Sequence, residues 1–175
     1  MKDPWKKISS KTVYKNLWVK VVEDQVIRPD KKKGIYGCVK TNNSVAVIAL
    51  TNKKEIFLIK QWRYVYQRQT IELPWGGIEK GETSLNAAKR ELKEEAGVTA
   101  KKWKLIRKLD LYPGISTESV YLYLAFDLRI GKNHPEGNEE IEVLKMSLEK
   151  AQMMVLNKKI IDSIAINGIY FASFI

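Results

Sequence analysis

The chain has 175 residues, with 31 Lys+Arg against 20 Asp+Glu for a formal net charge of +11, 45% hydrophobic residues, one Cys and one His. That length and apolar content suit one folded domain with at most a small appendage, and they exclude both disorder and a disulfide-stapled mini-scaffold. Cys38 alone makes no intrachain disulfide, and Cys38 with His134 cannot furnish a zinc cage, so any metal must be held by oxygen.

The charged start, Met1-Lys2-Asp3-Pro4-Trp5-Lys6-Lys7, is followed by no apolar core of a signal peptide, so a reducing cytoplasm is the expected compartment. Turn residues then recur through the first half, and short runs rich in Val, Ile, Tyr and Trp lie between them. These predict strands over 12–14, 19–27, 34–39, 44–50, 55–62 and 69–73. The wholly apolar run Val45 to Leu50 is too short to cross a bilayer, and the stretch from Ile160 to Ile175 is broken by polar residues.

The period then changes. From Thr83 to Ala96 the residues Leu85, Ala88, Leu92 and Ala96 recur at three- and four-residue steps, Thr83 or Ser84 can cap the start, and Gly97 follows the last turn. A helix is predicted there. Strands over 103–109 and 120–128 follow, the second apolar on both faces and therefore central, and then helices over 147–156 and 161–174. The sum is an α/β chain of the α+β type: a mixed sheet flanked by helices over 43–175, with residues 1–42 as a small amino-terminal β sub-domain suited to dimer contact.

The stretch that carries chemistry is Gly76 to Val98, GGIEKGETSLNAAKRELKEEAGV. On a helical wheel Glu95 falls at about +40° and Glu94 at about −60° from Glu91, so three carboxylates share one arc beside the apolar stripe. Such crowding is unfavourable unless something offsets it. A hard divalent cation does so, since Mg²⁺ takes oxygen ligands from a few carboxylates and from substrate phosphates. The glycines at 76, 77 and 81 allow backbone to approach closely. A solvated surface of paired charges is the plainer alternative on spacing alone.

Gly76-x5-Glu82-x7-Arg90-Glu91-Leu92-x-Glu94-Glu95-x-Gly97-Val98 resembles the Nudix box at each fixed position, a coincidence expected at roughly one in 10⁹ random windows. The resemblance implies a Nudix α/β/α sandwich that hydrolyses a nucleoside diphosphate linked to another moiety with Mg²⁺, or with Mn²⁺ in its place. It implies Glu91 and Glu95 as principal metal ligands, Glu94 as a further ligand or water-orienting carboxylate, and the Trp75 carbonyl as a backbone ligand. Arg90 and Glu82 would brace loop against helix.

Gln61-Trp62-Arg63-Tyr64, Glu72-Leu73-Pro74-Trp75-Gly76 and Tyr112-Pro113-Gly114-Ile115-Ser116 are similar to the ADP-ribose and nucleotide-sugar pyrophosphatase branch. That likeness implies that Arg63 contacts the diphosphate or a terminal sugar phosphate, and that Trp18 and Tyr36 stack on the nucleobase, often across a domain-swapped homodimer. It places the catalytic base in the loop Gly131–Glu140 before a final strand, with Glu139 first, and Glu118 and Glu94 as alternatives. Relatives carry a small residue before the box glycine where this chain has Trp75, which sets an indole at the mouth of the site.

Two other functions compete. The +11 charge is compatible with a Nudix-fold RNA- or nucleotide-binding module without hydrolysis, although such a module is expected to lose box carboxylates and this chain retains them all. Hydrolysis of nucleoside triphosphates or RNA 5′ ends is the other, against which the extended first forty residues and Pro113 speak.

Overall fold

A computed structural model of the chain describes residues 2–132 and 140–175. The chain divides into two compact units, residues 1–43 with 110–119 and residues 44–109 with 120–175. The segment 110–119, assigned from sequence to the larger domain, packs with the smaller unit.

The smaller unit is an antiparallel three-stranded sheet in the order β1 (Lys6–Lys15), β2 (Val19–Ile27), β3 (Lys33–Thr41). The β1–β2 turn is held by the Asn16 side chain, whose Oδ1 accepts from the amides of Trp18 at 2.9 Å and Val19 at 2.7 Å. β2 and β3 pair without interruption from Val19↔Thr41 to Ile27↔Lys33, whereas β1 slips register at Lys7/Ser9 and Thr12/Tyr14. Segment 110–119 lies on β3: the Val39 amide donates to the Ile115 carbonyl at 2.8 Å and the Tyr36 hydroxyl to the Gly114 carbonyl at 2.8 Å.

The larger unit holds β4 (Ser44–Leu50), β5 (Glu55–Arg63), β6 (Arg68–Glu72), β7 (Trp75–Gly77), α1 (Ser84–Ala96), β8 (Val98–Asp110), β9 (Ser119–Ile130), β10 (Ile141–Ser147), α2 (Leu148–Leu156) and α3 (Ser163–Ala172). Its sheet runs β10-β5-β4-β9-β8, with β6 on β5 and β7 on β4. It is mixed, because β4 runs parallel to β9 and antiparallel to β5 and β7. β9 lies between two neighbours, as its two apolar faces require.

Alternation along β4 feeds both layers. Val45, Val47 and Ala49 join Ala88, Leu92 and Ala96 of α1 in one apolar cluster. Ile48 points the other way, where α3 comes so close at Gly168 that an added Cβ would collide with Leu73 and crowd Ile48. The result is a sheet between helical layers, the α/β/α arrangement that the sequence implied.

Four strands differ most from expectation, and the first, β1, begins at Lys6, six residues ahead of the predicted 12–14. β7 is only three residues with two glycines, too short for a period to show. β8 begins at Val98, five residues ahead of the predicted start, because pairing recruits Ala100-Lys101-Lys102, which propensity rates poorly. β10 went unread from propensity, and it stands where the resemblance put a final strand.

Candidate active site

The far edge of β4 serves two partners in turn. Ser44 to Ala46 pair with β7, Ala49 and Leu50 pair with β5, and between them the Val47 amide donates to the Pro74 carbonyl at 2.9 Å. This switch carries Pro74-Trp75-Gly76 across the sheet to α1, which packs directly against β7.

α1 starts at Thr83, whose hydroxyl accepts from the Asn86 amide at 3.2 Å, and ends at Gly97, whose φ of 66° permits the left-handed cap. Burying Ala87, Ala88, Leu92 and Ala96 rotates the next arc of the helix onto β7. Glu91 and Glu95 are therefore only 9% and 4% exposed, while Glu94 stays half-buried. Carboxylates that deep need donors or a cation.

Arg90 is the hub that supplies them. Its Nε and Nη2 donate to the two oxygens of Glu82 at 3.2 and 3.1 Å, its Nη1 donates to Glu91 at 2.7 Å and Glu94 at 3.1 Å, and Nη2 also reaches the Gly77 carbonyl at 3.0 Å. The brace between loop and helix is thus present. The hydrogen bond from Arg90 holds the Glu82 carboxyl below the ordinary carboxylate range, against the opposing effect of desolvation. Burial works against the Arg90 charge, but the hydrogen bonds to Glu82, Glu91 and Glu94 and the charge of Glu91 outweigh it, so the guanidinium stays protonated.

Glu95 is anchored differently: its Oε2 accepts the Trp75 amide at 2.8 Å. Gly76 lies flat against the Glu91 carboxylate, where any Cβ would run into the side chain. The donor set is all oxygen and suits a hard divalent ion. Among the described residues no three His, Cys, Asp or Glu side chains stand ready as a metal cage. Arg90 spans Glu91 and Glu94 through its Nη1.

A second arginine cluster went unread in the sequence. Arg63 pairs with Glu72 through two hydrogen bonds, Nε to Oε1 at 2.8 Å and Nη2 to Oε2, and Thr70 and Gln61 donate to the same carboxylate. Glu72 is 4% exposed. The register Gln61↔Thr70 and Ile59↔Glu72 puts Gln61, Arg63, Thr70 and Glu72 on one face of the β5–β6 hairpin. The alternating Q-x-R and T-x-E would have shown this had the hairpin register been known.

Arg63 also sits over the Trp75 indole, 5.7 Å from the ring centroid. Gln61, Trp62, Arg63, Tyr64, Val65, Tyr66, Trp75 and Glu140 line a cleft of about 810 Å³. Arg63 is thus placed at a pocket, and held there by Glu72 and Trp75.

The remaining expected residues fall elsewhere. Trp18 is at the tip of the β1–β2 turn and 75% exposed. Tyr36 pairs opposite Asp24 on β3 and packs edge-on to Trp5, with centroids 5.3 Å apart. Six residues of strand separate the Trp18 level from Asp24, about 20 Å, so one chain does not bring the two rings together. Glu118 belongs to the smaller unit, its amide bonded to the Ser116 hydroxyl at 3.1 Å. Glu139 lies outside the described residues.

Comparison with known proteins agrees with this architecture. The NUDIX domain model matches residues 40–164, and the nucleoside diphosphate sugar hydrolase N-terminal domain model matches residues 5–39. The chain is 32% identical to an ADP-ribose pyrophosphatase of Bacillus subtilis, over 90% of this chain and 86% of the relative. It is 35% identical to an ADP-ribose pyrophosphatase of Mycobacterium tuberculosis, over 93% and 80%. A crystal structure described as an ADP compounds hydrolase superposes with a TM-score of 0.82 at 18% identity, covering 95% of this chain and 90% of that one, and so shares the fold. An acidic helix seated on a glycine loop, together with these matches along most of its length, makes the chain a member of the Nudix family.

Proposed function

We propose that the chain hydrolyses the diphosphate of a nucleoside diphosphate sugar, with ADP-ribose as first candidate, to a nucleoside monophosphate and a sugar phosphate. The observation that carries this reading is the pair of buried carboxylates on one helix face, Glu91 lying against Gly76 and Glu95 held by the Trp75 amide. The names of the two relatives supply the substrate class.

Glu91, Glu95 and Glu94, with the Trp75 carbonyl, are the groups to hold Mg²⁺, with Mn²⁺ as the alternative. Such an ion, when bound, neutralises diphosphate charge and lowers the pKa of water. Arg90 and Glu82 fix the loop so that the carboxylates meet the substrate in one geometry. A carboxylate takes the proton as water oxygen bonds to phosphorus and the bridging oxygen leaves. Glu139 is the first candidate for that base, with Glu118 and Glu94 as alternatives. Arg63 faces the diphosphate or the sugar phosphate, and Trp18 and Tyr36 contact the base in a cytoplasmic homodimer whose smaller units exchange.

Steady-state assays with ADP-ribose, GDP-mannose, other nucleotide sugars and nucleoside triphosphates, each with Mg²⁺ and Mn²⁺, test this. Chelation abolishes turnover. Glu95→Gln lowers kcat by about 100-fold or more, since a metal-held interaction is worth several kcal/mol, and leaves the unfolding transition near wild type. Near-normal turnover by that variant would remove the metal-ligand assignment. Salt-sensitive RNA binding with no hydrolysis of any substrate would support the binding-module alternative instead.

A further inference from the structure

The cleft that Arg63 and Trp75 line has aromatic residues that the diphosphate chemistry does not use. Besides Trp75, three aromatic residues line it, Trp62, Tyr64 and Tyr66, and they are 56%, 82% and 59% exposed. At about 810 Å³ it is far larger than a phosphate group requires and is in the range of pockets for whole organic ligands.

Trp75 joins this cleft to the carboxylates. Its amide holds Glu95 at 2.8 Å, its indole lies under the Arg63 guanidinium, and the same residue lines the cleft. The charge of Arg63 is offset by Glu72. Recognition there falls to ring faces, which favour a flat or apolar ring face.

We propose that Trp75 is a specificity-determining residue, and that with Trp62, Tyr64 and Tyr66 it receives the second moiety of the substrate as an uncharged ring, a furanose, a pyranose or a second nucleoside, in preference to a small group without a ring. This rests on the reading that the diphosphate lies against α1. The indole supplies one face of the ring site, and its backbone ties that face to Glu95, so that filling the cleft sets the diphosphate relative to the acids.

The test uses the full chain and its Trp75→Ala, Trp75→Phe and Tyr64→Ala variants. Each is assayed with an ADP-sugar and with ADP methyl ester, which shares the diphosphate and lacks the ring. Trp75→Ala lowers the ratio of kcat/KM for the sugar over the methyl ester by about tenfold, mostly through KM, as expected for loss of one stacking face. Trp75→Phe restores most of the ratio. Tyr64→Ala, at an exposed position where folding is not at stake, lowers it by about threefold. An equal loss on both substrates, or an unchanged ratio, overturns the proposal. Calorimetry with the α,β-methylene analogues of both compounds reads the same ratio as Kd without turnover. A wild-type protein that binds the sugar analogue more tightly but hydrolyses neither compound therefore supports the ring site while removing the hydrolytic reading. Equal binding of the two analogues overturns the ring site, whatever the turnover.

Discussion

β4 and β1 are both strands of this chain, yet all seven residues of β4 are buried and all ten of β1 are exposed. β4 sits between α1 and α3 and gives side chains to both layers. β1, an edge strand with no layer on either face among the described residues of its unit, has the β2 ladder as its main support, and two register slips interrupt that ladder. The difference shows what secondary structure leaves undetermined: a strand becomes a rigid platform only where layers bury it. The acidic helix is seated on the first kind of strand. The aromatics proposed to meet the base ride on the second kind of sheet.

The comparison is broken or sharpened first by truncation. Ile48→Ala, at a fully buried position, should cost about 2–5 kcal/mol, whereas Val13→Ala on β1, half-exposed, should stay within about 0.5 kcal/mol. Urea midpoints measure both. Equal losses would mean that β1 is covered by something in solution, and the second copy of a homodimer is the first candidate. Glycine replacement gives the next largest effect. Gly76→Ala drives a Cβ into the Glu91 carboxylate and should cost about 1–3 kcal/mol with loss of turnover. Gly37→Ala on β3 meets nothing within 4 Å and should stabilise by about 0.4–1 kcal/mol through the unfolded chain. A Gly76→Ala protein with normal stability and kcat would show that Glu91 has another place to go.

The parts legible in the sequence were those whose signal is local. β2 and β4 have the predicted bounds because alternation and apolar runs are written along the strand itself, and α1 because one cap, one stripe and one terminal glycine agree. The arc of Glu91, Glu94 and Glu95 follows from helical spacing alone. What was not legible depends on register between distant segments. Arg90 was expected to meet Glu82, but its further bonds to Glu91 and Glu94 depend on how β7 seats the loop. The Arg63–Glu72 pair needs the β5–β6 register, and the stacking of Arg63 on Trp75 needs β4 to change partners at Val47. The joining of 110–119 to the smaller unit needs the pairing with Val39.

Pairing and burial also oppose each other at two acids of the larger unit, with opposite consequences for pH. Glu82 is held below its ordinary 4.5, first by the Arg90 hydrogen bond. Its contribution to stability is therefore complete above pH 4.5 and is lost as pH falls through the lowered value. Asp162 caps α3 by accepting the Ala165 amide at 2.7 Å, yet its carboxyl is raised above the ordinary 3.8, first by burial and further by the charge of Glu72, against the pull of the Ala165 and Ile164 amides and of Arg63. Its contribution is complete below pH 3.8 and is lost as pH rises through the raised value. Relative to wild type, Glu82→Gln should thus become progressively less stable as pH is raised through the region below 4.5. Asp162→Asn keeps an N-cap acceptor and sheds the buried charge, so it should gain on wild type as pH rises above 3.8. Thermal unfolding of the three proteins between pH 3 and 7 reads both slopes. The effect at Asp162 is expected to be the smaller, because the cap bonds it keeps already offset part of the desolvation. Slopes of the same sign would show that one of these carboxylates is governed by the other's cause.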